Sequence, residues 1–247
     1  MPVIAPIAVA PDLTEQAYQA ILDAICDGRF VAGQRITQEA LAESLSVSRQ
    51  PVLQALLLLK RDGLVIDAGG RGVMVAPLTT EQIANLYQVR SVLDGLAARE
   101  AARRRAVLSP DLIARGRDAA SGQDLRSMID ADLMFHRAIY EAAGNALLVQ
   151  SAERHWNHIR RIMGATLSQV GARAAIWDEH ERILDAIASG DDVLAQQLAL
   201  HHCENAGDTL VSRVSAMEQT NSQGNIQDSK RSPGQNSSDN DIHRRQA

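Results

Sequence analysis

An aspartate and a histidine one helical turn apart, Asp132 and His136, share a stripe with Leu125, Ile129, Ile139 and Ala143 at spacings of three and four. Further along, His180 falls on one face with Ile176, Ile183 or Leu184, and Ile187. Beyond it, Ala195 and Leu198 point the same way as His201 or His202. Apolar faces pack inward, and unpaired polar groups are costly to bury, so these side chains should meet one another. An Asp and a His at i, i+4 can hold one ion from a single turn, and two more imidazoles complete a set. Three His and one Asp suit zinc, nickel, manganese or a related divalent metal ion, with room for water or a ligand oxygen. Any one of these histidines alone is better read as a buried hydrogen-bonding residue. The set could also activate water, which makes a metal-dependent hydrolase the alternative reading. Against it, no motif such as H-E-x-x-H supplies a general base. The pair His155 and His158 fits no fuller set and reads as pocket lining or surface.

These side chains need helices to position them. From residue 79 to about 217 the pattern is helical almost throughout, with no convincing strand. The composition agrees, because hydrophobic residues make up 45% of the 247 and aromatics only 3%. Cores must then be filled by Ala, Leu, Ile and Val, as in packed helices. Residues 218–247 carry almost no apolar side chain, and such a segment cannot offset its ordering entropy, so a disordered tail is expected. The cluster Arg103 to Arg105 reads as a solvated helix C-terminus facing the helix dipole.

Residues 12–78 read differently. Thr14 is a plausible N-cap for a helix carrying Ala17, Ile21, Ala24 and Ile25, which Gly28 ends. Thr37 can cap a short helix that buries Leu41 and Leu45, and Ser46 and Val47 make a tight turn. Ser48 then caps a third helix, with Val52, Leu56 and Leu59 on one face and Gly63 closing it. Pro51 is tolerated because the first turn lacks intrahelical partners for its N–H groups. Leu64 to Ile66 and Val73 to Val75 are β-prone, with Gly69 and Gly70 between them. Helix, short helix, turn, helix and hairpin describe a winged helix-turn-helix, whose third helix enters the major groove by its N-terminal residues. The expected fold is mainly α: this N-terminal unit plus a C-terminal all-helical bundle, 79–217.

The segment "GQRITQEALAESLSVSRQPVLQALLLLKRDGLV…GGRGVMV" resembles the DNA-binding domain of GntR-family transcription regulators. The resemblance implies that Ser48 contacts phosphate, that Arg49 contacts a guanine edge or phosphate, and that Gln50 can reach a base. It also brings Gly70 and Arg71 of the wing to the backbone or minor groove. Leu53 departs from the pattern, standing where most relatives carry an Arg, so Gln54 or Lys60 must compensate or operator preference changes. Glu39 is likewise acidic where a basic residue would suit DNA. The stretches "LYQVRSVLDGLAARE", "DLMFHRAIYEAAGN" and "EHERILDAIASGD" resemble the effector domain of the FadR subfamily, the FCD type. That resemblance selects Asp132, His136, His180 and His202 as a metal site, and places Arg90 near the ligand cavity. Arg90 could pair with a carboxylate effector, or only with Asp94 one turn on.

Net charge is −5, so DNA affinity must come from where the arginines sit; Lys60 and Lys230 are the only lysines. Two cysteines, Cys26 and Cys203, are too few for a disulfide framework and fit a reducing cytoplasm. The apolar start, Met1 to Pro11, lacks the basic residues of a signal peptide. No apolar run approaches the roughly 20 residues of a membrane span. The sequence therefore points to a cytoplasmic, dimeric repressor that binds a pseudo-palindromic duplex and is modulated by a small organic acid held near a metal.

Overall fold

The computed structural model describes residues 12–70, 72–122, 124–166 and 173–229, with 173–174 and 217–229 described by backbone alone. Helix α1 (Leu13–Cys26) opens the first unit, capped by Asp12, whose carboxylate accepts from the Thr14 and Glu15 amides. Thr14 thus lies inside the helix and is not its cap. A carboxylate both satisfies orphan N–H groups and suits the positive end of the helix dipole. Helix α2 (Gln38–Leu45) is capped by Thr37 as its sequence implies. Ser46, in the left-handed region at φ 53°, turns the chain into α3 (Arg49–Arg61). Ser48 holds the N-cap position of α3, but its hydroxyl makes no cap hydrogen bond. Instead the Gln38 side-chain amide donates to the Arg49 carbonyl at 2.6 Å and pins the start of α3 from α2.

The wing is a three-stranded antiparallel sheet in the order β1-β3-β2, from β1 (Arg35–Ile36), β2 (Val65–Asp67) and β3 (Val73–Val75). Strand β1 was not expected, since two residues are too short to show an alternation. It needs Gly72 (φ +97°), where a Cβ would stand 2.6 Å from the Ile36 carbonyl oxygen. Behind the sheet, Ile21, Leu22, Val52, Leu56, Leu59 and Leu64 fill a closed core.

The second unit comprises α4 (Thr80–Arg103), α5 (Asp111–Ser121), α6 (Leu125–Ala142), α7 (Ala146–Thr166), α8 (Arg173–Ser189) and α9 (Asp192–Ser229). Thr79 and Gln82 form a capping box at the start of α4. Helices α4 and α9 form the most extensive helix pair, brought close by small residues: Gly95 packs on Gln196 and Leu200, and Gly207 on Tyr87. Ala97, Ala98, Ala101 and Ala102 are fully buried against Phe135, Ile183 and Ile187, so alanine replaces aromatic bulk in this core. Helix α9 runs on to Ser229, where disorder is expected from residue 218. Once a packed segment has nucleated a helix, each added residue gains a hydrogen bond without a new nucleus. Residues 230–247 lie outside those described. The arginine cluster is more engaged than a solvated helix end: Arg103 pairs with Glu100 and Asp192, and Arg104 covers Gly144. No helix among the described residues is long and apolar enough to cross a membrane.

The two units meet where α7 crosses α1. Asn157 donates to the Tyr18 hydroxyl at 3.1 Å, and Tyr18 donates to Asp62 at 2.8 Å. Arg160 and Arg126 donate to the two oxygens of Asp23, at 3.1 and 3.2 Å. Arg161 donates to the Ala76 carbonyl. Gly164 lets the two backbones touch, because a Cβ there would collide with the Cys26 carbonyl. The Gly164→Ala variant should therefore lose about 1–3 kcal/mol of stability, the usual cost of overpacking. Thermal unfolding measures it, and an unchanged midpoint would mean that α7 and α1 are not docked in solution.

Candidate functional site

Helix α6 places Asp132 and His136 one turn apart on its buried face, together with Ile129, Ile139 and Ala143. Helix α8 brings His180 into the same space, at 0% exposure. Its neighbour toward the N-terminus on that face is Trp177, not Ile176. Ile176 is 37% exposed, whereas the Trp177 ring lies edge-on to His180 at 4.7 Å. The spacing of three rather than four wins because the bulkier indole fills the gap beside Phe135. Helix α9 decides between its adjacent histidines: His202 is buried, while His201 is exposed and lines an outer groove between α4 and α9.

One ring nitrogen from each of His136, His180 and His202 lies within 4.8 Å of the other two. His180 Nε2 is 3.1 Å from His202 Nε2. Asp132 Oδ1 is 3.8 Å from His136 Nε2 and 3.7 Å from His180 Nε2. Ligand atoms bound about 2.1 Å from a common ion sit about 3.0–3.5 Å apart, so modest closure would complete the set. His136 Nε2 is buried and has no hydrogen-bond partner among the described residues, as expected of a nitrogen reserved for a ligand. Burial, followed by the charges of His202, His136 and Arg90, pushes the His180 pKa well down and keeps that ring in the neutral form a metal requires. The residues present fit a divalent ion. Bound here, such an ion would supply Lewis-acid positions for an anionic oxygen.

The rings are held from behind by carboxylates that the sequence alone did not single out for this role. Asp94 Oδ2 lies 3.1 Å from His136 Nδ1, and Glu179 Oε2 lies 2.7 Å from His202 Nδ1. Hydrogen bonds of this kind fix the ring and aim its other nitrogen at an ion. Burial alone would raise the Asp94 pKa, but the His136 and Arg90 charges outweigh it and hold it far below the usual carboxylate range. Cys203 also donates to Asp94, at 2.7 Å. The available signal was adjacency, since Glu179 precedes His180 and Cys203 follows His202.

Arg90 is buried beside this cluster. It donates to the Tyr87 hydroxyl at 3.1 Å and lies 3.4 Å from Asp94 and 3.8 Å from Asp132. The helical ion pair with Asp94 is therefore present, and Arg90 also lines a void with Tyr140, Ala152, His155 and Trp156. That void has a volume of ≈10 Å³, room for about one water molecule. His155 lines it, whereas His158 lies beside Gly63 of the winged unit.

A second surface lies in the winged unit. Ser48, Arg49 and Gln50 are exposed at the start of α3, and Gly70 is exposed in the β2–β3 turn. Arg71 lies outside the described residues. Arg49 is 3.4 Å from Glu39, and Lys60 is held by Asp67 at 2.7 Å. Arg35, which the sequence did not flag, places its guanidinium 3.3 Å from where a Gly70 Cβ would sit.

A winged unit followed by a helical bundle with an inward histidine cluster matches two family models. Residues 13–75 match "Bacterial regulatory proteins, gntR family", and residues 85–205 match the "FCD domain". An HTH-type transcriptional regulator from the ttuE-ttuC' intergenic region of Agrobacterium vitis is 31% identical over 134 residues, 51% of this chain and 78% of that protein. The chain belongs to the GntR family. A probable D-xylose utilization operon transcriptional repressor of Paenarthrobacter nicotinovorans is 29% identical over 77% of this chain and 85% of its own length. The crystal structure of a GntR-type transcriptional regulator from Rhodococcus sp. RHA1 superposes with TM-score 0.67 at 27% identity, covering 81% of this chain and 97% of its own. This GntR-family protein is a transcriptional regulator and not an enzyme, and the hydrolytic reading finds no support.

If the carboxylate–histidine pairs orient the ligand set, Glu179→Gln should weaken zinc binding about 10–100-fold, and His180→Ala should abolish tight binding. Isothermal titration of metal-free protein with zinc reads both. Equal affinity in all three proteins would reduce the cluster to core hydrogen bonding.

Proposed function

We propose that this GntR-family regulator acts in the cytoplasm as a homodimeric repressor whose hold on a pseudo-palindromic operator is modulated by a small carboxylate near a metal. The observation that carries the reading is the exposed leading turn of α3, with Ser48, Arg49 and Gln50 all in solvent. The Ser48 hydroxyl is not consumed by the helix it caps, which leaves it for a phosphate oxygen. The surface pair of Arg49 and Glu39 is of a kind worth little, so Arg49 can exchange it for guanine or phosphate. Gly70, Arg71 and the neighbouring Arg35 serve the backbone at the wing. Two-fold symmetry of the protein then demands matching half-sites. Exposed Val89 and Val92 on α4 offer apolar surface for a second copy.

Asp132, His136, His180 and His202 hold zinc, nickel or manganese, and Arg90 takes the other end of a carboxylate whose oxygen completes the ion's shell. The void at Arg90 is too small for an organic acid as it stands, so entry has to displace Trp156 or His155. Both residues belong to α7, whose opposite side bears Asn157, Arg160 and Arg161 on the winged unit. A ligand that favours a shifted α7 would thereby change DNA affinity, because only differential binding to two states moves an equilibrium.

Selection of bound fragments from random DNA should enrich a palindromic motif that disappears with Arg49→Ala. Absence of any motif would sink the regulator mechanism described here. A thermal-shift panel of small organic acids on metal-loaded protein should find at least one that raises the melting temperature, with the gain lost in Arg90→Ala. A flat panel would remove the carboxylate.

A further inference from the structure

The outward face of the reading helix is unusually apolar. Leu53 and Leu57 are 38% and 51% exposed, one turn apart on α3, and are flanked by the exposed amides of Gln50 and Gln54. They are not overflow from the core, because Val52, Leu56 and Leu59 already fill the inward face. The cations of the same helix are all engaged by acids: Arg49 by Glu39 at 3.4 Å, Lys60 by Asp67 at 2.7 Å and Arg61 by Asp62 at 3.0 Å. What α3 presents between its first and third turns is therefore two amides and two isobutyl groups, with no unpaired charge.

That chemistry selects bases. Thymine alone carries a methyl group in the major groove, and adenine alone offers the adjacent acceptor and donor that a side-chain amide can match with two hydrogen bonds. Resting on the DNA-binding reading above, we infer that Leu53 reads a thymine methyl in each operator half-site, with Gln50 and Gln54 reading adenine beside it. Leu53 lies one turn after Arg49 and so enters the groove behind the leading residues. Cytosine at the same position would set its amino group against the leucine, where a desolvated donor goes unsatisfied. The centre of each half-site is thus A·T, with guanine left to Arg49 at its edge.

The test replaces thymines in the selected operator by deoxyuridine one position at a time, which removes only the methyl group, and measures binding of the full-length chain. One thymine per half-site should show about a 3–5-fold loss, the scale of burying one methyl-sized group, and replacement in both half-sites about tenfold or more. Leu53→Ala should bind the thymine and deoxyuridine operators alike, and Leu53→Arg should shift the selected base there toward guanine. An enriched operator with no deoxyuridine-sensitive thymine overturns the inference but leaves the regulator reading intact. The same sensitivity in Leu53→Ala also overturns it, as does a change of oligomeric state in that variant with base preference unaltered. Failure to enrich any operator overturns both readings together.

Discussion

Charged and imidazole groups can be buried in an alanine-rich bundle only if they satisfy one another, and that requirement organises the helical half of the molecule. Arg90, Asp94, Asp132, His136, His180 and His202 are all buried, and come from α4, α6, α8 and α9. Stripping any one of them of water costs more than a typical side chain gains by packing, so each must find a partner. Asp94 answers this for three groups at once, facing Arg90, His136 and Cys203. Among the described residues, three buried atoms of the cluster are left without a hydrogen-bond partner: His136 Nε2, with Asp132 standing close by, Asp94 Oδ1 and His180 Nδ1. A divalent ion held as proposed above would give His136 Nε2 its partner.

Helix α7 links this cluster to the rest of the chain. It closes the void beside Arg90 with one side and rests on the winged unit with another. Much of the latter contact is polar: burial works against the Asp23 carboxylate, yet hydrogen bonds from Arg160 and Gln19 and the nearby charges of Arg160 and Arg126 hold its pKa below the usual value. A contact made of a few directional bonds around a glycine contact at Gly164 has fewer stable arrangements than a greasy one. On the function proposed above, such a contact would let α7 pass a change beside Arg90 on to the winged unit.

Much of the winged unit was legible in the sequence because its elements are local. Periodicity placed Val52, Leu56 and Leu59 inside, Thr37 announced α2, and glycines marked the ends. The errors were local as well. Asp12 displaced Thr14 because a carboxylate caps better than a neighbouring hydroxyl, and β1 was too short to carry a pattern. In the bundle, Ile176 was misplaced by one position because a spacing of three and a spacing of four both keep to one helical face.

The sequence by itself determined which residues turn inward, and hence that an aspartate and several histidines would be buried, because a 3.6-residue period is a property of each helix alone. It also placed Ser48, Arg49 and Gln50 on one leading turn. Only the tertiary structure decided between His201 and His202, brought Asp94 and Glu179 behind the rings, and showed Arg90 pairing with Asp94 while lining a void. These depend on how α4, α6, α8 and α9 rotate and slide against one another, which is settled by small residues such as Gly95 and Gly207 and by mutual satisfaction of buried charge. No single helix carries that information.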